Sequence, residues 1–444
     1  MTSITTTDLL RILAGQQPRT SKELQSELGV SQAAMSRLVA NAGQRVLRLG
    51  AGRSTRYTLA VELFGVEGEI GLFEIDEAGI VHEFASLRRA ATGAYVVSGR
   101  DLPFWALGAS GDGVFGDLPY FLVDLRPAGF LGRLAARQVG PELGAPNDPR
   151  DWTSEQIGRY LMRSGADLPG NVVLGERAAE TANRATFTEV RDRGTRYPEL
   201  VQRNLNEENP GSSAQGEQPK FLAHAEKAGH VIVKYTEPLD AAAGRRWADL
   251  LVAEEHALRI LGENDFATAE AQTFHFGDRV YLESRRFDRS GRRGRRPAFS
   301  LGLVDAEYAG SGSGWSRMAA GLRAASLLDE TSYRQVVWLE TFGHWIGNTD
   351  MHSGNVSLQP LTASFALCPV YDMLPMRLAR PTEALATTDL APPIRRPANE
   401  AIWEDAARVA QTYWERLGDE ASVSDEFRRF AARHAERCGT LVAS

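Results

Sequence analysis

Residues 343 to 358, GHWIGNTDMHSGNVSL, set Asp350, His352 and Asn355 in a Gly-rich stretch between two apolar segments. YRQVVWLETFGHWI, residues 333 to 346, reads as a buried helix and NVSL as a short strand, so GNTDMHSG is the turn between them. Hydrophobic elements on both sides would hold the polar groups rigidly. Phosphoryl transfer to a hydroxyl needs a carboxylate to orient the acceptor, an amide oxygen for Mg²⁺ and a second carboxylate for the same ion. Asp350 and Asn355 have the D-x-x-x-x-N spacing of a kinase catalytic loop. Seventeen residues after Asn355, beyond the apolar SFALCPV, Asp372 of YDML ends a second short strand. A hairpin would bring Asn355 and Asp372 to one metal ion and leave Asp350 to receive the hydroxyl. Asp350, Asn355 and Asp372 are therefore the candidate catalytic residues, the last two as metal ligands. His352 reads as a hydrogen bond that fixes the loop. The rival, a His/Asp metal site for hydrolysis, lacks a partner, because none of the eight histidines pairs with His352 at HxH or HxxxH spacing.

The chain has 444 residues, enough for two to four domains. Its 43% hydrophobic and 24% charged residues are ordinary for a soluble protein, and no run of about 18 apolar residues exists to span a bilayer. The Thr-rich start lacks the pattern of a signal peptide, and two cysteines, Cys368 and Cys438, cannot build a disulfide framework or a Cys-based zinc site. A cytoplasmic protein is expected. The net charge of -7 hides an asymmetry: residues 1 to 60 carry eight basic against three acidic side chains, +5, which leaves -12 for the remainder.

That basic segment shows three short helical patterns, broken at Gly15 to Pro18 and at LGVS. Leu24, Leu28, Val30, Met35 and Leu38 would form the core of a helix-turn-helix, with Gly29 turning the chain and Ser31 capping the recognition helix over 31 to 41. QRVLRLGAGRSTRYTL then reads as strand, turn and strand, a basic wing bearing Arg45, Arg48, Arg53 and Arg56. Ser31, Gln32, Ser36 and Arg37 are the expected base-side residues, and Arg53 and Arg56 the wing contacts to DNA. A trihelical packing module that offers its basic face to another protein is the alternative.

Residues 60 to 200 alternate short strands with helices and carry no catalytic constellation. From 205 the chain turns polar and Gly/Ser-rich before the apolar strand GHVIVKYTEP. Of fifty basic residues only four are Lys, so Lys220 and Lys234 stand out, and a loop with Gly211 and Gly216 followed by a strand-borne Lys suits phosphate oxygens. A solvated linker and an edge strand is the alternative. In the helix ADLLVAEEHALRILGEN, Glu254 and Glu255 are able to meet Lys234. Ser284 to Phe287 would be a hinge for adenine, and RRFDRSGRRGRRP, with seven Arg in twelve residues, is expected as an exposed hairpin tip that could also hold an acidic partner, RNA or an autophosphorylated residue.

In this order, loop, Lys strand, RRFDR, NTDMHSGN and YD resemble the HipA family of Ser/Thr protein kinases, toxins of bacterial toxin–antitoxin modules, and most of all its YjjJ-like branch with an N-terminal helix-turn-helix. The resemblance covers roughly residues 60 to 440, with the DxHxxN…YD pair as its specific part. It implies a two-lobed kinase-like fold in which LRPAGFLGRLAARQVG and GADLPGN match the N-terminal subdomain. The family's phosphate loop, SxxGxQxK, appears as Ser213, Gly216, Gln218 and Lys220. The resemblance implies ATP contacts from these, from Lys234, from Ser284 to Phe287 and from Asp372, and autophosphorylation at Ser213 or its neighbour Ser212. It also implies an aminoacyl-tRNA synthetase as protein substrate and an antitoxin partner, whose role the fused DNA-binding domain could take over. Gly354, where relatives often carry Lys, and Pro219 depart from the pattern and put turnover and acceptor in doubt.

The expected fold is α+β: a bilobal protein-kinase-like body after a small winged helix-turn-helix. Its parts would be 1–60 for DNA binding, 61–200 for an α+β subdomain, 201–290 for ATP binding and 291–444 for a mainly helical lobe with the catalytic loop. The expected function is an ATP- and Mg²⁺-dependent protein Ser/Thr kinase with toxin-like activity. The alternative is a DNA-binding regulator whose kinase-like body is an inactive nucleotide-sensing or interaction module. A repressor with a sugar-kinase fold would need a Cys-rich zinc loop that this chain lacks.

Overall fold

A computed structural model describes residues 4–15, 17–50, 54–207, 218–380 and 383–443. The chain forms two compact units, one from residues 1–127 and 135–185, the other from 128–134 and 186–444.

The first unit opens with three helices, α1 (Thr6–Leu13), α2 (Ser21–Leu28) and α3 (Gln32–Ala42). Thr20 caps α2 in a capping box with Glu23, and Ser31 caps α3 by accepting from the Ala34 amide at 3.3 Å. Gly29 ends α2 at φ 65°, a left-handed conformation that glycine adopts without a Cβ penalty. Leu9, Leu13, Leu24, Leu28, Met35 and Leu38 meet in one small core, as the helical spacing requires. An antiparallel hairpin follows, β1 (Val46–Leu49) with β2 (Arg56–Val61). β2 runs across the expected boundary at residue 60 to pair Ala60 and Val61 with Ala90 and Arg89 of the next sheet, and Leu47 packs on Ala90 and Val96. Hairpin and middle sheet share one core. The strands Ile70–Ile75, Val81–Ala90, Tyr95–Ser98 and Val172–Leu174 continue that sheet.

Apart from residues 128–134, the second unit begins at residue 186, fifteen residues before 201, where the ATP-binding part was expected to start. The short strand β3 (Glu189–Val190) and helix α4 (Arg193–Glu207) place Val190, Tyr197, Leu200 and Val201 in the core of the following sheet, so they belong with it. That sheet has the order β6–β7–β5–β4–β3, with β4 (Lys220–Ala225), β5 (Gly229–Tyr235), β6 (Ala271–Phe276) and β7 (Arg279–Arg285). Helix α5 (Ala242–Glu263) lies on it through Ala248 and Leu251 against Val280 and Leu282. Its other side meets the helical lobe, where the Tyr413 hydroxyl donates to the Ala253 carbonyl at 3.3 Å. That lobe is built from α6 (Glu330–Trp345), α7 (Trp403–Asp419) and α8 (Asp425–Ala443), packed through Trp414, Phe427 and Phe430. Among the described residues no helix is long and apolar enough to cross a membrane.

The Arg-rich stretch forms a hairpin, Arg289–Ser290 with Gly294–Arg295, whose tip, Gly291 to Arg293, is exposed as expected. At its base Arg286, Arg289 and Arg295 are buried, and Asp288 lies within bonding distance of the first two: 3.0 and 2.9 Å from Arg286, 2.6 Å from Arg289.

Candidate active site

Register sets the first half of the site. In the β4–β5 ladder Lys220 stands directly opposite Lys234, which places both ammonium-bearing residues at one end of the sheet. Lys234 is 7% exposed and its Nζ donates to both oxygens of Glu254, at 2.8 and 2.7 Å, and to Asp372. Glu254 is 1% exposed, on the inner face of α5. Its neighbour Glu255 turns instead to the Thr273 amide and hydroxyl, at 2.8 and 2.6 Å. Of the two candidates, only Glu254 meets the lysine.

The charges explain why this arrangement holds. Burial alone would strip the proton from Lys234, but Asp372 and Glu254 reverse that and hold the ammonium above its ordinary pKa. Burial pushes Glu254 up despite Lys234. Asp372 resists burial because Lys234 and Lys220 hold it down at about 2. One buried cation thus sits between two carboxylates of unequal acidity.

The catalytic-loop half hangs from the C-terminus of α6. The buried Asn348 amide donates to the Gly343 carbonyl at 2.8 Å, and its side-chain oxygen accepts from the Asp350 amide at 3.0 Å. Asp350 itself is exposed. Partial desolvation and Asp372 push its carboxyl up, against the pull of His352, Lys220 and Lys234, so all these groups share one field. Asn355 is buried and donates its side-chain amide to the Asp350 carbonyl at 2.9 Å, which leaves its Oδ1 as the acceptor for a cation. His352 fixes the loop as expected of a structural residue: Nδ1 accepts from the Gly354 amide at 3.1 Å and its carbonyl accepts from Trp315 Nε1 at 3.0 Å.

Asp372 does not end a strand. After Asn355 the chain forms β8 (Ser357–Pro360) and β9 (Phe365–Leu367), and Asp372 lies five residues beyond β9. Val370 is gripped by the segment entering β6, with Ala267 and Ala269 as backbone partners at 2.8 and 2.9 Å. Asp372 then takes φ 54°, the left-handed region that Asp tolerates better than most residues, and keeps 30% of its side chain exposed.

Among the nucleotide contacts expected from the sequence, Ser212, Ser213 and Gly216 lie outside the described residues. Gln218 is buried and donates its amide to the Tyr235 carbonyl, so that nitrogen is committed to the sheet. Ser284 lies inside the sheet between Ile232 and Ala271. The next amides, Arg285 and Arg286, donate to the Glu270 and His230 carbonyls at 2.8 and 2.9 Å, which commits both of these hinge N–H groups to the fold. Phe287 stacks on Tyr371 at 5.4 Å. Tyr371 was missed in the sequence, although it precedes Asp372: its hydroxyl donates to the Gly354 carbonyl at 2.8 Å and lies 2.8 Å from Ser357 Oγ, tying Phe287, Asp372 and the 350–355 loop together.

Residues 212–440 match the family described as HipA-like C-terminal domain, and residues 66–183 match the YjjJ-like toxin, middle domain. Toxin YjjJ of Escherichia coli (strain K12) is 36% identical over 441 residues, 97% of this chain and 96% of that protein. The chain belongs to the HipA/YjjJ toxin family. A HipA chain solved in a Shewanella oneidensis MR-1 toxin–antitoxin complex with HipB and operator DNA overlaps with a TM-score of 0.57 at 16% identity, over 84% of this chain and 96% of that chain. That likeness gives the fold, an α+β protein-kinase-like body, as expected.

In this HipA/YjjJ-type chain the N-terminal face also takes shape. Ser31, Gln32, Ser36 and Arg37 are all exposed along α3, and Arg56 is exposed at the start of β2. Gln32 Oε1 accepts from Gln25 Nε2 at 2.5 Å and Ser21 Oγ at 3.1 Å, which orients it from α2. Arg48 lies over the Tyr57 ring at 5.8 Å. Arg53 is outside the described residues.

Proposed function

We propose that this HipA/YjjJ-type toxin is an ATP- and Mg²⁺-dependent protein serine/threonine kinase joined to a winged helix-turn-helix that binds DNA. The observation that carries the reading is Lys234 held between Glu254 and Asp372, with Asp350 in the same electrostatic field and Asn355 bonded to the Asp350 carbonyl. The donor set fits a hard divalent cation: a carboxylate at Asp372 and a free amide oxygen at Asn355. Mg²⁺ bound there would neutralise charge on a triphosphate. Asp350, exposed and with its proton affinity raised, orients the acceptor hydroxyl and takes its proton. Lys234 leaves Asp372 for a phosphate oxygen while Glu254 keeps it in place, and Lys220 adds a second point charge from across the ladder. An antitoxin and an aminoacyl-tRNA synthetase substrate come from the family alone, as does autophosphorylation at Ser213 or Ser212.

The test is transfer of labelled γ-phosphate by wild type, Asp350→Asn and Asp372→Asn. We expect both variants to lose at least about 100-fold, with nucleotide still bound by Asp350→Asn. Equal labelling in all three would sink the kinase reading and favour a regulator with an inactive body.

A further inference from the structure

We propose that a cavity at the opposite end of the same sheet binds a small phosphate-bearing ligand, independently of the nucleotide cleft. It has a volume of about 430 Å³ and lies where β3, β4, β5 and β7 end together. Arg191, Lys227, Arg285, Arg286 and Arg289 line it, against two carboxylates, Glu189 and Glu226. Glu189 is engaged by Arg292 at 2.7 Å and His224 at 3.0 Å, while Arg285 faces Glu270 at 3.2 Å and Asp288 holds Arg286 and Arg289, so the excess positive charge that a ligand would meet comes from Arg191 and Lys227.

The cations are built into the fold. Asp288 bridges Arg286 and Arg289 from behind the cavity wall and fixes the planes of both buried guanidiniums. His230, also in the wall, is held by its ring nitrogen 2.8 Å from the Arg292 carbonyl and by the Phe187 ring edge-on at 4.4 Å. Planar, pre-oriented guanidiniums match the oxygens of a phosphate better than flexible ammonium groups do. The volume is at the small end of ligand pockets, roughly 300 to 1,000 Å³, which suits a phosphate with a compact body.

None of Lys220, Lys234, Asp350, Asn355 and Asp372 lines this cavity. Gly229 and Lys234 are five residues apart on β5, roughly 16 Å at the rise of a strand. The two sites are therefore separable.

Calorimetric titration of the full chain with inorganic pyrophosphate and, separately, ribose 5-phosphate tests this. Arg191 and Lys227 are exposed, so Arg191→Ala/Lys227→Ala should fold normally and bind about tenfold more weakly or worse, since each loses a charge-assisted contact. Lys220→Ala, at the other end of the sheet, should leave this binding unchanged. Binding of pyrophosphate alone identifies a free inorganic anion as the ligand, and binding of both identifies an organic phosphate. No binding of either compound, unchanged affinity in the double variant, or a loss seen only in Lys220→Ala overturns the proposal.

Discussion

A buried ammonium between two carboxylates cannot be removed without consequence, and Lys234 makes the consequence depend on pH. Asp372 is held at about 2, below its ordinary 3.8, so its share of the ion pair is fully present above about pH 4 and is lost as pH falls toward 2. Glu254 is shifted the other way, above its ordinary 4.5, so its proton favours the fold at low pH and that contribution is lost as pH rises. Lys234→Met leaves Glu254 buried beside Asp372 without the ammonium between them. The expected cost is about 3–5 kcal/mol near neutral pH, shrinking as pH falls through the carboxylate range because Glu254 can then take a proton. Urea unfolding of wild type and variant at several pH values reads this directly; a loss that does not vary with pH would contradict the assigned burial of Glu254. The spacing of Asp350 and Asn355 was legible because chemistry restricts it, and Tyr371 was not, because its role exists only through a hydroxyl that spans two segments.

At the scale of elements, the 350–355 loop is held by what surrounds it. The strand Phe299–Ser300 pairs with β8, Leu301 donates its amide to the Val356 carbonyl at 2.9 Å, and Gly302 then lies against Ser353. A Cβ on Gly302 would stand 2.2 Å from Ser353 Oγ and 2.6 Å from its Cβ, too close for either to yield without moving the turn. Gly302→Ala should cost about 1–3 kcal/mol and slow phosphate transfer by roughly tenfold, and Ser353→Gly added to it should restore most of both. Thermal unfolding together with labelled transfer separates the two effects; failure of the second substitution to rescue would show that the contact does not matter. Helices and strands in this lobe follow their periodicities closely. The Arg-rich hairpin does so only in part: Arg285, Arg292, Arg293 and Arg296 are solvated as the charge run predicts, whereas Arg286 and Arg289 are buried on Asp288.

At the scale of the molecule, the N-terminal helices are not a detachable bead. β2 belongs to the hairpin at Arg56 and to the next sheet at Ala60, and Leu47 packs on Ala90 and Val96, so deletion of residues 1 to 60 would open the middle core. Exposed side chains are the cleaner probe. Arg48→Ala with Arg56→Ala should weaken DNA binding and flatten its dependence on log salt by about 1.8, as expected for two lost phosphate contacts, while nucleotide binding is unaffected. Fluorescence anisotropy across a KCl series measures it, and an unchanged slope would move the DNA face elsewhere.

Sequence alone determined the core of the three N-terminal helices, the strand that carries Lys234 and the D-x-x-x-x-N loop, because periodicity, capping and chemical spacing act over a few residues. Tertiary structure alone decided that Glu254 rather than Glu255 meets Lys234, that Asp372 reaches the same lysine from 138 residues away, and that Asp288 holds the buried Arg286 and Arg289. Adjacent helical residues differ by about 100° around the axis, and which of them faces a partner is fixed only when the helix is laid on its sheet.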